Sequence, residues 1–274
     1  MLYFLQSCVN CWTHYFMSWR FRSQKIFAIT GVRRSGNHAF IRWLINALEG
    51  EHCTLVKLGH GVHRSPSGDT LFFNEMNYRG LMGYYTRTKK HASVIKKAKF
   101  VIISTEDYIP KKHDPYVPVQ ATRITIHRHL LNTISSRLKK SQDRALEGFE
   151  RGDMKIDHEF MHCIRWLREE SEKQSWVKWS YDDWVSSNDY REEFLSNLNL
   201  KNNIEPGISK EGDGSSFTGL SRTPNAQEVT RRYTQIAIPE RIKALLLEPY
   251  YKSLLEPDSL DFLNNEVQDD AYKK

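Results

Sequence analysis

The sequence predicts an α/β fold, a three-layer sandwich in which helices flank a central parallel sheet. Short apolar, β-prone segments recur along the chain, and helical or loop stretches separate them: 25–30, 70–73, 100–103, 123–126 and 176–181. Strands separated in this way pair in parallel and are covered by helices on both faces. With 274 residues, the chain can bury a full core without a disulfide or a structural metal.

Residues 1–24 are predicted to form an amphipathic helix. Its apolar residues recur at spacings of three and four, as on one helical stripe: Leu2, Leu5, Val9, Trp12, Phe16 and Trp19. Basic residues follow at once, so residues 1–20 either pack on their own domain or lie on a membrane surface or a partner. No apolar run approaches the roughly 18 residues of a spanning helix, and secretory signal features are lacking. We therefore expect a cytoplasmic protein, soluble or peripheral to a membrane.

Charge and cysteine content narrow the classes of ligand. Lys and Arg total 40 against 33 Asp and Glu, a formal charge of +7 that suits a phosphate-bearing ligand, a polyanion or a membrane surface. The four cysteines form no paired framework, and the Cys8/Cys11 pair lacks a second pair at zinc spacing. We expect a reducing compartment and no metal.

The first strand, at 25–30, is followed by a glycine-bearing loop and by a helix over 39–48. Such a loop presents backbone N–H groups and the positive end of the helix dipole, which together form an anion site. The candidate anion ligands are the loop residues Arg33, Arg34, Ser35, Gly36, Asn37 and His38. The loop lacks the Gly-Lys-Ser/Thr ending that holds Mg²⁺ in ATP-dependent kinases, so kinase chemistry is disfavoured.

This loop resembles the 5′-phosphosulfate loop of the PAPS-dependent sulfotransferases, which bind 3′-phosphoadenosine 5′-phosphosulfate. Arg34 stands at the basic position of that loop, and Ser35 and Gly36 match it, whereas Asn37 and His38 replace its usual hydroxyl pair. Both replacements can donate hydrogen bonds. The alternative is an arbitrary basic turn between a strand and a helix.

A second segment is similar to the 3′-phosphate signature of the same family. Arg128 follows the strand at 123–126, and Ser136 comes eight residues later on a helix, which is the family spacing. A guanidinium and a hydroxyl so placed can converge on one phosphate. His129 and Leu130 replace the usual Asp/Asn-Pro, and an Arg in an ordinary salt bridge is the alternative.

The later elements continue the resemblance. A helix is indicated by Phe160, Ile164 and Leu167, and the strand at 176–181 ends in Tyr181, which resembles a family tyrosine that packs near the adenine. Residues 202–223 are predicted to be a loop. Within it, 212–219 falls where the family has a glycine-bearing loop that closes over the nucleotide, with a solvent loop as the alternative. The candidate ligands there are Gly214, Ser215, Ser216 and Phe217. A helical stretch at 240–255 is interrupted by Pro249, and 256–274 is predicted to be a polar tail.

The four matches occur in family order, which implies a P-loop sulfotransferase-like domain over 25–255. The resemblance implies an enzyme that uses PAPS without a metal, with Arg34 stabilising the leaving group. The family places its base at the end of the strand between the phosphate segments, where Glu106 stands. Glu75 and Asp107 are alternative bases, and His38 could serve as an acid or donate to the sulfuryl group.

The predicted acceptor is a hydroxyl, with a glycan as the leading candidate. A carboxylate base resembles the carbohydrate-modifying branch, and region 59–112 is rich in Tyr, Lys and His, which stack on sugars and bind acidic groups. Lys96, Lys97 and Lys99 could instead form only a solvated helix face. A nucleotide-dependent kinase is the alternative enzyme. Nucleic acid is not an expected partner, because the basic residues are spread over several segments.

Overall fold

A mostly parallel β-sheet forms the centre of the molecule. The computed structural model describes residues 19, 21–50, 61–74, 96–107, 117–118, 120–146, 155–174, 176–201 and 230–271. Within these ranges six strands are present: β1 (Lys25–Gly31), β2 (Gly61–Arg64), β3 (Thr70–Asn74), β4 (Phe100–Glu106), β5 (Thr122–His127) and β6 (Val177–Ser180). They pair in the order β2-β3-β4-β1-β5-β6, and β2 alone among these strands runs antiparallel to its neighbour.

The helices of the described ranges cover the sheet. They are α1 (Asn37–Glu49), α2 (Leu130–Leu146), α3 (His158–Lys173), α4 (Tyr181–Ser186), α5 (Asn188–Asn197), α6 (Glu240–Leu246), α7 (Pro249–Lys252) and α8 (Pro257–Ala271), with a 3₁₀ turn at Arg232–Gln235. The predicted α/β fold with a central, largely parallel sheet flanked by helices is confirmed. The strand β2 was not predicted, because four residues at a sheet edge carry too short an apolar pattern to be recognised.

The two faces of the sheet bury different residues, as the alternation along each strand requires. On one face, Phe27, Ile102 and Ile124 pack with α1, α4 and α5 in one hydrophobic cluster. On the other, Leu71 and Val101 belong to a second cluster. Both clusters are almost solvent-free, and this double burial explains the continuous apolar runs 26–29 in β1 and 100–103 in β4.

The C-terminal segment differs from the prediction. Residues 256–274 were expected to form a polar tail, but Pro257–Ala271 form helix α8. Leu263 is fully buried in a cluster with residues of α2, α3 and α6, and Leu260 and Phe262 pack against the same cluster. A narrow apolar stripe within a polar segment therefore holds this helix on the rest of the protein.

The described part of the predicted N-terminal helix is short. Only Trp19 and residues 21–24 are described, and of these Phe21 is buried against the sheet while Trp19 is exposed. No helix in the described ranges combines the length and the apolar character that crossing a bilayer requires.

Candidate functional site

The candidate site lies at the edge of the sheet where the parallel strands end. The loop 32–36 follows β1, Glu106 is the last residue of β4 and Asp107 comes after it, and Arg128 follows β5. β1 and β5 are neighbours in the sheet. After β1 the chain continues to β2 and β3 on one side of this pair, and after β5 it continues to β6 on the other side. The direction in which strands are added therefore changes between β1 and β5. Open α/β sheets bind their ligands in the crevice at such a point.

Hydrogen bonds within the loop after β1 give it a defined shape. The Ser35 hydroxyl donates to the Val32 carbonyl at 2.7 Å, and the Asn37 amide donates to the same carbonyl at 3.1 Å. A Cβ atom on Gly31 would overlap Asn37 Oδ1 and press on Ser35 Oγ, so a larger residue here would displace the two side chains that hold the loop. Ser35 and Asn37 thus hold the loop rather than point into solvent, and both are buried.

The N-terminus of α1 has no side-chain cap. Arg34 (φ 75°) and Gly36 (φ 105°) adopt left-handed backbone conformations, and Gly36 caps α1 without a side-chain hydrogen bond. The first turn of α1 contains no acidic residue, and His38 lies half-buried within it. The first turn of α1 therefore supplies no carboxylate of its own to offset the helix dipole.

Arg34 joins the two predicted phosphate segments. Its Nε atom donates to Ser136 Oγ at 3.1 Å, and its carbonyl accepts from Arg128 Nη1 at 2.8 Å. Arg128 is 8% exposed, and its Nε and Nη2 atoms are buried without a hydrogen bond to the residues described. Two unsatisfied donors on a buried guanidinium call for an acceptor, and phosphate oxygens fit that requirement.

Tyr181 supports both the loop and Arg128. It is the first residue of α4, not the last of β6, and its ring centre lies 4.6 Å from the Arg128 guanidinium carbon. A Cβ atom on Gly36 would overlap the same ring. The cation–π contact orients Arg128. The ring also lies near Trp179 and Trp184, with ring centroids 6.0 and 5.8 Å apart. The resemblance implied a tyrosine near the adenine, and that role stays a prediction.

We expect Gly36→Ala to destabilise the protein. An Ala in the left-handed conformation costs about 1–2 kcal/mol, and the overlap of its Cβ atom with the Tyr181 ring adds to that cost. Thermal denaturation measures the effect. Gly50→Ala is the matched control, since Gly50 is an exposed helix end at φ 75°. An equal loss of Tm in the two variants would contradict the predicted role of the Tyr181 contact.

The two acidic residues at the end of β4 have different partners. Glu106 accepts from the Asn37 amide at 2.5 Å and lies 3.6 Å from Arg33 Nε, with its side chain 9% exposed. Asp107 accepts from the Arg33 backbone N–H at 2.9 Å and from Arg137 Nη1 at 3.0 and 3.1 Å. Asp107 therefore braces the loop against α2, whereas Glu106 faces Asn37 at the start of α1.

Three functional candidates were missed in the sequence. Arg137 directly follows Ser136, its side chain is 3% exposed, and it pairs with Asp107. Arg232 is 4% exposed in the 3₁₀ turn, and burial lowers its pKa to about 10, with Arg128 and Arg34 contributing in the same direction. Asp182 follows Tyr181; burial raises its pKa and Arg128 opposes that shift. An Arg beside a motif and an Arg-Arg pair are too common in sequences to identify Arg137 and Arg232 as site residues.

Several predicted site residues lie outside the described part of the chain. They are Glu75, Gly214, Ser215, Ser216 and Phe217. Their predicted roles stay predictions. Most of region 59–112 also lies outside the described residues, so its predicted role in binding the acceptor stays a prediction. Among the residues that are described, no group of three or more His, Cys, Asp and Glu side chains is placed to hold a metal ion.

Comparisons with known proteins found a similar structure but no similar sequence. No protein-family model matches this sequence. No curated protein matches it either. Among solved structures, the chain is similar to the sulfotransferase domain from the curacin biosynthetic pathway, with 12% identity and a TM-score of 0.43. The match covers 81% of this chain and 97% of that domain. A likeness at this level does not bear on function.

Proposed function

We propose that the protein is a sulfotransferase that moves a sulfuryl group from PAPS to an acceptor hydroxyl. The observation that carries this proposal is the convergence of Arg34, Arg128 and Ser136 at the carboxyl edge of the sheet. Arg128 offers two unsatisfied buried donors there, and α1, whose N-cap makes no side-chain hydrogen bond, begins three residues after Arg34. A ligand with two phosphate-type groups would match both halves of this site.

Each residue of the site has a role in the proposed reaction. PAPS, when bound, supplies a sulfuryl group that passes to the acceptor oxygen as its bond to the bridging phosphate oxygen breaks. Arg34 and the first N–H groups of α1 stabilise the charge that develops on the phosphate side. Arg128 and Ser136 bind the 3′-phosphate, and Tyr181 keeps the Arg128 guanidinium in place.

Glu106 is the proposed base that takes the proton of the acceptor hydroxyl. Asn37 and Arg33 hold its carboxylate beside the loop, within the site. Asp107 is less suited to this role because both of its oxygens accept from Arg137 Nη1 and Oδ1 also accepts from the Arg33 N–H. His38, in the first turn of α1, is proposed as a donor to the sulfuryl oxygens.

The acceptor is proposed to be a glycan hydroxyl. This rests on the carboxylate base and on the composition of region 59–112. The nucleotide-dependent kinase is the competing function, and it differs in the nucleotide and metal that it requires.

Ligand-induced stabilisation distinguishes the two functions. We expect adenosine 3′,5′-bisphosphate without Mg²⁺ to raise the Tm, since a ligand at 100 times its Kd adds about 2.7 kcal/mol to the free energy of unfolding. Mg-ATP at the same concentration should have a smaller effect. A shift with Mg-ATP alone would favour the kinase and contradict the proposal.

Arg128→Ala should weaken the binding of adenosine 3′,5′-bisphosphate by about 1.5–3 kcal/mol, the range of a charged hydrogen bond. AMP, which lacks the 3′-phosphate, should bind wild type and variant alike, and calorimetry measures both. Arg123→Ala is the control, because Arg123 lies on β5, the strand that Arg128 follows, and its side chain packs against Trp176. An equal loss for the two nucleotides would show that Arg128 contacts a different group.

A further inference from the structure

The side chain of Glu106 is held where the end of β4 meets the loop 32–36. Its Oε1 atom accepts from Asn37 Nδ2 at 2.5 Å, and Arg33 Nε lies 3.6 Å from its Oε2 atom. The Arg33 side chain is 25% exposed, whereas Asn37 is 3% exposed. An exposed arginine keeps more rotamer freedom than a buried amide. Asn37 is therefore the contact that fixes the direction of the carboxylate.

The neighbours of Asn37 fix its own side chain. Its Nδ2 atom donates to the Val32 carbonyl at 3.1 Å as well as to Glu106, so both amide hydrogens have acceptors. A carbonyl and an ionised carboxylate only accept hydrogen bonds, which determines that the NH₂ group of Asn37 faces them. Asn37 Oδ1 lies 3.4 Å from Ser35 Oγ. The amide is thus committed to the loop and to Glu106, while the backbone N–H of Asn37 is among the first of α1.

Backbone hydrogen bonds tie the end of β4 to the same loop. The Asp107 N–H donates to the Gly31 carbonyl at 3.1 Å, and Asp107 Oδ1 accepts from the Arg33 N–H at 2.9 Å. These bonds limit the movement of the strand end relative to the loop. The remaining freedom is the rotation of the Glu106 side chain, and the bond from Asn37 restricts it.

We propose that Asn37 is a positioning residue, which holds the Glu106 carboxylate in the orientation for proton transfer and serves turnover rather than nucleotide affinity. The inference rests on the proposed function, in which Glu106 is the base, and adds how that base is oriented. The sulfotransferase loop usually has a hydroxyl at this position, and a single O–H cannot donate to Val32 and Glu106 together. Orientation matters because a misplacement of about 1 Å can cost about a hundredfold in rate.

The test compares Asn37→Ser with the wild type in the turnover of PAPS, with water as the acceptor so that no glycan has to be identified. The bond from sulfur to the bridging oxygen breaks, a bond from sulfur to the water oxygen forms, and Glu106 takes the proton, which yields sulfate and adenosine 3′,5′-bisphosphate. Turnover at saturating PAPS should be about ten to a hundred times slower in the variant. The Kd of adenosine 3′,5′-bisphosphate, measured by calorimetry, should stay within about threefold of the wild-type value.

The pH dependence of turnover separates a positioning role from a purely structural one. The hydrogen bond from Asn37 favours the ionised form of Glu106, and a serine side chain is too short to keep it. Its loss should therefore move the decline of the rate at low pH to higher pH. The charged groups beside Glu106, which are Arg33 and the Asp107–Arg137 pair, stay the same in the variant.

Asn46→Ser is the matched control, because Asn46 is a second buried asparagine of α1, 6% exposed, near the other end of the helix. It should lower the Tm without moving the decline at low pH. Asn37→Thr, which also has a single donor but a larger side chain, should reproduce the effect of Asn37→Ser. In a Glu106→Gln background, Asn37→Ser should cost less than about a further twofold, because Asn37 acts through Glu106.

A Kd that weakens tenfold or more in Asn37→Ser, with the decline at low pH unmoved, would overturn the inference, because Asn37 would then bind the nucleotide. An equal loss of rate from Asn37→Ser in the wild-type and Glu106→Gln backgrounds would also overturn it. If the wild type turns over PAPS no faster than Glu106→Gln, the base assignment and this inference fail together, while binding of adenosine 3′,5′-bisphosphate keeps the proposed nucleotide site. If the wild type does not bind adenosine 3′,5′-bisphosphate, the proposed function itself fails.

Discussion

Glu106→Gln is expected to lower kcat by about 10² to 10⁴ while the fold and the affinity for PAPS are kept. An amide cannot take the proton of the acceptor hydroxyl, and loss of a general base costs a rate factor of this size. The Gln oxygen can still accept from the Asn37 amide, so the loop contact survives the substitution. The rate is measured across a range of pH, and the decline at low pH should flatten in the variant.

The other candidate carboxylates are the controls for this assignment. Asp107→Asn should lower the Tm, because it weakens the bond to Arg137, whose side chain is 3% exposed. Breaking a buried ion pair costs roughly 3–5 kcal/mol of the free energy of unfolding. Because Asp107 is partly exposed, this range is an upper bound for the variant. The decline of its rate at low pH should persist. If Glu75→Gln abolishes turnover and Glu106→Gln retains it, Glu75 is the base and the acceptor enters nearer β3.

Arg34→Ala is expected to reduce kcat by about two orders of magnitude or more. Arg34 precedes the N-cap of α1 by two residues, and in the proposed reaction its guanidinium stabilises charge on the leaving phosphate oxygen. Removal of one such donor has effects of this order. The variant also loses the hydrogen bond to Ser136. Single-turnover rates at saturating PAPS measure the chemical step, and Arg34→Lys should recover part of the loss.

Backbone strain is the main alternative cause of such a loss, because Arg34 has φ 75°. Asn199→Ala is the matched control, since Asn199 is exposed at φ 54° and remote in sequence from the phosphate segments. It should lower the Tm without changing kcat. An unchanged kcat in Arg34→Ala would remove this arginine from the mechanism.

The strand-loop-helix unit around Gly36 was predictable because its signals are local. An apolar run, a basic loop with glycines and an amphipathic stretch all fall within 25 residues, from Lys25 to Glu49. The Arg128 and Ser136 pair was predictable for the same reason, as a strand end and the next helix. Helix α8 was missed because its apolar stripe is narrow and its polar residues dominate the composition.

The sequence by itself determined the α/β class, the principal strands and the segments that carry the candidate phosphate ligands. Only the tertiary structure decided that Arg34 lies between Ser136 and Arg128, which are 102 and 94 positions away in the chain. It also decided that Asn37 holds Glu106 and that Arg137 holds Asp107. Local patterns specify elements, but contacts between distant residues depend on the order and register of the strands, which set what meets at the edge of the sheet.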